Sequence, residues 1–178
     1  MKIRKILSRI QRKVIFQMDG LNARMYMKWY NNWLKKQGIN FHGDAKYIHH
    51  TVSFDGVSYP HISIGKDVVI SRDTLILVHD FSVEAGMIAI GRCDPVGEAY
   101  LLKDIKIGNS CFIGARCVLL GGTEIGDNCI IGAGSVLPGR KYPNNSIIAG
   151  NPAKVIGDVQ DWAERKYFEG KYIKGYII

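Results

Sequence analysis

Between Ile105 and Arg140 the chain repeats every six residues, reading IKIGNS, CFIGAR, CVLLGG, TEIGDN, CIIGAG and SVLPGR. The third place of each six is aliphatic throughout: Ile107, Ile113, Leu119, Ile125, Ile131 and Leu137. The fourth is glycine at Gly108, Gly114, Gly126 and Gly132. The first is small at Cys111, Cys117, Thr123, Cys129 and Ser135, with Ile105 the larger exception. Such a period is not that of a helix, which turns every ~3.6 residues. Within each six, the first and third places face the same side of a short strand, and glycine relieves unusual dihedrals in the turn that follows. One unit is too small to bury its own apolar face, so such units stack and bury a continuous column. The pattern predicts a parallel β-helix.

The sixes are also clear upstream in ISIGKD, VVISRD and TLILVH, whose third places are Ile64, Ile70 and Ile76. Ile64 to Ile107 spans 43 residues, one more than seven sixes, so the register slips once. The slip falls in residues 79–103, HDFSVEAGMIAIGRCDPVGEAYLLK, which read as an excursion rich in Gly and Pro at Gly86, Gly91, Pro95 and Gly97. Function on a rigid solenoid is carried by its loops, so the excursion is where chemistry is sought. Residues 39–59 read as irregular first coils with a turn at Asp55-Gly56. Beyond Arg140 a turn-rich KYPNN leads to SIIAG, and Asp158 starts a helix, VQDWAERKYFEG, expected to pack back as a cap. The alternating tail YIKGYII reads as a strand or an intersubunit contact. Three parts result: an extension over 1–38, the β-helix over 39–157, and a helix and tail over 158–178.

Charge divides the chain unevenly. Residues 1–36 hold ten basic residues against Asp19 alone, a net +9, which leaves −1 for the rest. Residues 2–16 carry Ile3, Ile6, Leu7, Ile10 and Val14 at helical spacing among the basic residues. A second helical segment over 21–37 carries Tyr26, Trp29, Tyr30 and Trp33 and ends near Gly38. Two readings are compatible. The second helix caps the solenoid, as terminal units of a stack require, and the first lies on an anionic membrane surface. No recognised nucleic-acid motif accompanies the charge.

No apolar stretch reaches the ~18 residues that span a bilayer, and the basic start is not followed by an unbroken apolar run. Cys111, Cys117 and Cys129 sit at the small inward place and read as reduced core packing. Cys93 falls in the excursion. Without a CxxC pair no metal site is expected. Reduced thiols predict a cytoplasmic protein, peripheral at the inner face of the membrane through residues 1–16.

The segments IGNSCFIGARCVLL, TEIGDNCIIGAGSVL and AGNPAKVI resemble the hexapeptide-repeat acyltransferase family. Within it the chain is most similar to the galactoside and xenobiotic acetyltransferase branch, and to sugar O-acetyltransferases of bacterial surface polysaccharides. The resemblance spans roughly residues 40–157. It implies an all-β solenoid, a left-handed β-helix with three sixes per turn, a homotrimer with active sites between subunits, and acetyl-coenzyme A as donor. Handedness rests on the resemblance alone, because general crossover rules favour the right-handed form.

The resemblance also implies roles. The family places a catalytic histidine where an excursion leaves the coil, and His79 in ILVHDFS stands there. An imidazole suits removal of a hydroxyl proton near neutral pH. Asp80, Glu84 and Glu98 are candidates to orient it or to contact the acceptor. His49 and His50, with Asp44 and Asp55, fall where related enzymes bind acceptors. Gly114-Ala115 and Gly132-Ala133 lie 18 residues apart, on one edge of adjacent coils. Their small size lets a pantetheine arm approach the backbone, and Arg140, Lys141 and Lys154 are expected to meet the coenzyme phosphates. The function expected is acetyl transfer to a sugar hydroxyl. Its rivals are N-acetylation of a nucleotide-linked amino sugar, a zinc-dependent β-helix carbonic anhydrase, and a non-catalytic solenoid.

Overall fold

A computed structural model describes residues 2–55, 59–92, 97–170 and 172–173, with side chains from residue 6 onward. Gly56, Cys93, Pro95 and the last residues of the tail, 174–178, lie outside the described residues. Short strands wind into three parallel sheets that form the walls of a prism. Sheet A stacks Asn40–Phe41, Ile62–Ile64, Ile105–Ile107, Glu124–Ile125 and Lys141–Tyr142. Sheet B stacks Tyr47–Ile48, Val69–Ile70, Phe112–Ile113, Ile130–Ile131 and Ser146–Gly150. Sheet C stacks Ser53–Phe54, Leu75–Leu77, Val118–Leu120 and Val136–Leu137.

Register follows the sixes. Ile107 pairs with Ile125, Ile113 with Ile131 and Leu119 with Leu137, so a regular coil takes 18 residues. The last turn takes 17, since Ile131 pairs with Ile148. Ile64 pairs with Ile107 across 43 residues, the excess being the excursion. Third-place residues fill the prism, with Ile70, Ile113, Leu119, Ile131 and Leu137 fully buried. First-place Cys111, Cys117 and Cys129 are buried free thiols, as expected of core packing. Contact with Cys129, then burial, pushes the Cys111 thiol up. Buried hydroxyls satisfy themselves on the turns, as where Ser135 donates to the Gly132 carbonyl at 2.5 Å.

The repeat glycines have a different reason from the one expected. The left-handed backbone positions between sheets A and B are Gly43, Asp67, Ser110, Asn128 and Asn145, and those between B and C are Asp73, Arg116 and Gly134. Gly108, Gly114 and Gly126 are not left-handed; they face the backbone of the next coil. A Cβ on Gly108 would stand 2.6 Å from the Gly126 carbonyl carbon, and one on Gly114 2.5 Å from the Ala133 nitrogen. Close approach of coils, not the dihedral angle, requires glycine here.

The N-terminal helices lie at one end. Helix α1 (Lys2–Gln17) packs on α2 (Ala23–Gln37), whose start is capped by Asn22 and whose end is closed by left-handed Gly38. The face of α2 bearing Tyr26, Tyr30 and Leu34 is buried. Its polar groups bind the first coil: Tyr26 donates to the Ile48 carbonyl (2.6 Å) and Asn31 to the Ala45 carbonyl (3.0 Å), while the Ile48 N–H reaches Met27 Sδ (3.3 Å). At the other end Ala153–Asp158 turns back antiparallel on Ser146–Gly150.

The C-terminal helix corrects an expectation. α4 (Val159–Glu169) is capped by Asp158 but buries none of its residues, leaving Trp162, Tyr167 and Phe168 exposed. It does not fold back over the column. No helix among the described residues is long and apolar enough to cross a membrane.

Candidate active site

The excursion leaves the corner between sheets C and A and closes on itself. His79–Asp80 pairs antiparallel with Leu101–Leu102, and helix α3 (Ser82–Ala89) follows the outgoing strand. His79 is therefore fixed at both ends of its loop, one residue beyond the buried Val78.

Its imidazole is held from the preceding coil. Phe54 pairs with Ile76, which carries Asp55 alongside the start of the excursion. One oxygen of Asp55 lies 2.6 Å from His79 Nδ1 and also accepts the backbone N–H groups of Val78 (3.2 Å) and His79 (3.1 Å). The two side chains are only 13% and 19% exposed. A carboxylate can only accept, so Nδ1 carries the proton and Nε2 is the basic atom. Two aromatic rings flank the imidazole: Phe81 stacks with its centroid 6.1 Å away, and Tyr100 meets it edge-on at 5.3 Å.

Of the carboxylates expected to orient His79, none does so. Asp80 accepts the Ser82 N–H at 2.8 Å, and the Ser82 hydroxyl, then that N–H, lower its carboxyl from the ordinary value. Glu84 accepts the Ala99 N–H at 2.7 Å, bracing the two limbs of the excursion. Glu98 is exposed. The carboxylate hydrogen-bonded to Nδ1 is that of Asp55, which the sequence offered only as an acceptor contact.

A cleft of ≈ 450 Å³ opens beside His79 on the outer surface of sheet C. Leu77 and Leu120 form its apolar floor, Gly121 and Gly139 its rim, and Lys103 reaches in from the returning limb. The cleft thus brings an imidazole and a cation together over an apolar floor. Lys103 was not singled out in the sequence, where nothing distinguishes it from other lysines.

The remaining candidates are dispersed. Ala115 and Ala133 lie at the corner between sheets B and C, across sheet C from His79, and the Ala115 carbonyl accepts the Gly134 N–H at 2.8 Å. Gly114 and Gly132 serve the stack, donating to Ile131 and Ile148. Arg140 follows Gly139 at the rim of the cleft and is exposed. Lys141 belongs to sheet A and pairs with Glu124 at 3.2 Å. Lys154 stands on the antiparallel strand beside sheet B. Arg140 and Lys141 thus adjoin at the corner between sheets C and A, and Lys154 stands apart beside sheet B.

His49 and His50 lie at the corner between sheets B and C of the first coil, with rings stacked at 4.3 Å. His50 Nδ1 is 2.7 Å from Asp19, which also accepts from Tyr47, so the pair ties the turn between α1 and α2 to the first coil. Burial, then His50, lowers the His49 imidazole below its ordinary value. Asp19, His49 and His50 form the one group of three potential metal ligands within 4.8 Å among the described residues, and His79 is not part of it.

The family model described as bacterial transferase hexapeptide (six repeats) matches residues 104–139. No curated protein sequence matches the chain. Among solved structures, a hexapeptide-repeat-containing acetyltransferase from Vibrio cholerae is 19% identical with a TM-score of 0.59, covering 89% of this chain and 93% of that one. A maltose O-acetyltransferase from Clostridium difficile 630 is 20% identical with a TM-score of 0.56, covering 86% and 87%. A galactoside acetyltransferase solved with coenzyme A is 22% identical with a TM-score of 0.54, covering 94% and 88%. These likenesses identify the prism of parallel sheets as the left-handed β-helix.

Proposed function

We propose that this chain, a left-handed β-helix built from the bacterial transferase hexapeptide repeat, moves an acetyl group from acetyl-coenzyme A to a hydroxyl of a sugar, with His79 as general base. The observation that carries the reading is the Asp55–His79 pair beside a cleft floored by Leu77 and Leu120. Asp55 fixes the tautomer and stabilises the imidazolium that forms in the reaction. His79 Nε2 takes the proton of the acceptor hydroxyl as its oxygen attacks the thioester carbonyl. A backbone N–H of the excursion steadies the oxyanion. The tetrahedral intermediate collapses, coenzyme A leaves as the thiolate, and the imidazolium returns the proton to sulfur. No acetyl-enzyme forms and no redox partner is needed.

The donor's pantetheine arm lies on sheet C between the Ala115–Ala133 edge and the His79 cleft, with its thioester at His79. The outward side chains speak for a ring of three chains around it. Sheet B turns out Val69, Phe112, Ile130 and Ile147, and sheet C turns out Leu75, Val118 and Val136. Sheet A turns out Ser63, Lys106, Glu124 and Lys141. Two apolar walls and one polar wall suit a heterologous, closing interface. The zinc-enzyme reading needs two further ligands converging on His79, and the described residues offer no such group.

The test is calorimetric titration with acetyl-coenzyme A, followed by a screen of sugar acceptors with wild type and His79→Ala. Saturable donor binding by both proteins is expected. The variant's transfer rate should fall on the order of a hundredfold or more, the usual size of a general-base effect. Full activity in His79→Ala would remove the assigned base, and absence of donor binding would remove the reaction.

A further inference from the structure

We infer that α1 is an interfacial anchor that lays its outer face on an anionic lipid surface. The inference goes beyond acyl transfer and does not depend on it. Helix α1 divides into three arcs. One faces the protein: Ile15 is buried, Phe16 meets Tyr30 edge-on at 5.4 Å, and Ser8 accepts the Trp33 indole N–H at 3.2 Å. Arg12 lies over the Phe16 and Trp33 rings and seals that contact. A second arc is apolar and faces outward, with Ile6, Leu7, Ile10 and Val14 each between 53% and 55% exposed. The third, bordering it, carries the exposed Arg9 and Lys13.

The apolar arc does not end with α1. Ile10 and Val14 form a groove with Trp29 of α2, floored by Ile15 and flanked by Lys36. Met25 and, in the turn between the helices, Leu21 at 80% exposure continue the strip. A soluble helix hides such a stripe. Here α2 already does the capping, so α1's stripe is surplus to the fold. Charge decides its occupant. The segment 1–36 carries +9 on a chain whose remainder carries −1. Aliphatic side chains, an exposed indole and a basic border together match the boundary between anionic headgroups and acyl chains. A second copy of the same positive surface would repel, and a polyanion without an apolar phase would leave the stripe in water.

The experiment is co-sedimentation of the full-length protein with vesicles of phosphatidylglycerol and phosphatidylcholine, against phosphatidylcholine alone. Binding to the anionic vesicles and little to the neutral ones is expected. Ile10→Asp should weaken binding on the order of tenfold by removing inserted apolar surface. Lys13→Glu should weaken it by at least about fivefold, the value of one basic residue at such a surface. The oligomeric state of both variants should be unchanged. Three results would overturn the inference. The first is no binding to anionic vesicles. The second is binding that Ile10→Asp leaves intact and heparin abolishes, which makes the surface a polyanion site. The third is loss of oligomers in Ile10→Asp, which makes the stripe a subunit contact.

Discussion

At the scale of single residues the proposed site converges on one carboxylate oxygen. Asp55 joins the His79 ring and two backbone N–H groups, so it sets the ring's tautomer and the course of the chain entering the excursion together. Asp55→Asn can keep the shape while offering Nδ1 an amide, which lets the imidazole adopt the wrong tautomer. The acetyl-transfer kcat should drop on the order of a hundredfold or more, as in other oriented histidines, while the donor KM changes little; steady-state kinetics with donor and acceptor varied separately would read the split. His79 was legible because it stands where the repeat stops. Asp55 was not, as a partner, because the pairing spans 24 residues and crosses the least regular coil. No local motif reports which residue of one coil lies above which residue of the next when their spacing is not yet constant. Asp80, Glu84 and Glu98 drew attention by nearness in sequence, yet adjacent carboxylates here serve the excursion's own backbone.

At the scale of elements the coil is a contact-limited spring. The isoleucine column was readable because stacking repeats the same inward place in every six, and the structure keeps that register without a break from Ile105 to Leu137. The purpose of the glycines was not readable, since a missing Cβ serves a turn and a close approach equally well in a sequence. The distinction is measurable. Gly108→Ala drives a methyl into the Gly126 peptide and should cost about 1–3 kcal/mol, the usual penalty of overpacking. Arg116→Gly removes a Cβ from a left-handed position at φ 58° and should be neutral or stabilising by up to about 1 kcal/mol. Urea midpoints of the two variants should therefore move in different directions or by very different amounts. Helix α4 was misread for a related reason: Trp162, Tyr167 and Phe168 look like packing residues, but within one chain they meet no core.

At the scale of the whole molecule the three walls are unequal. The outward Phe112 is 44% exposed in the middle of the apolar sheet B wall. Phe112→Lys should break the proposed trimer into monomers by sedimentation velocity, whereas Lys106→Ala on the polar wall should leave it whole. If the site is completed by a neighbouring chain, the first variant should also lose transfer activity at low protein concentration. The ends of the prism matter as much as its walls. A stacked coil exposes a rim of backbone donors and acceptors that any similar strand can pair with. Tyr26, Met27 and Asn31 of α2 answer Ile48 and Ala45 of that rim with side chains, which cannot propagate a sheet. The helix thereby acts as a chain terminator for growth along the prism axis. A protein cut back to residue 39 would carry a live growing edge, and filaments rather than discrete particles are the form its solution would take.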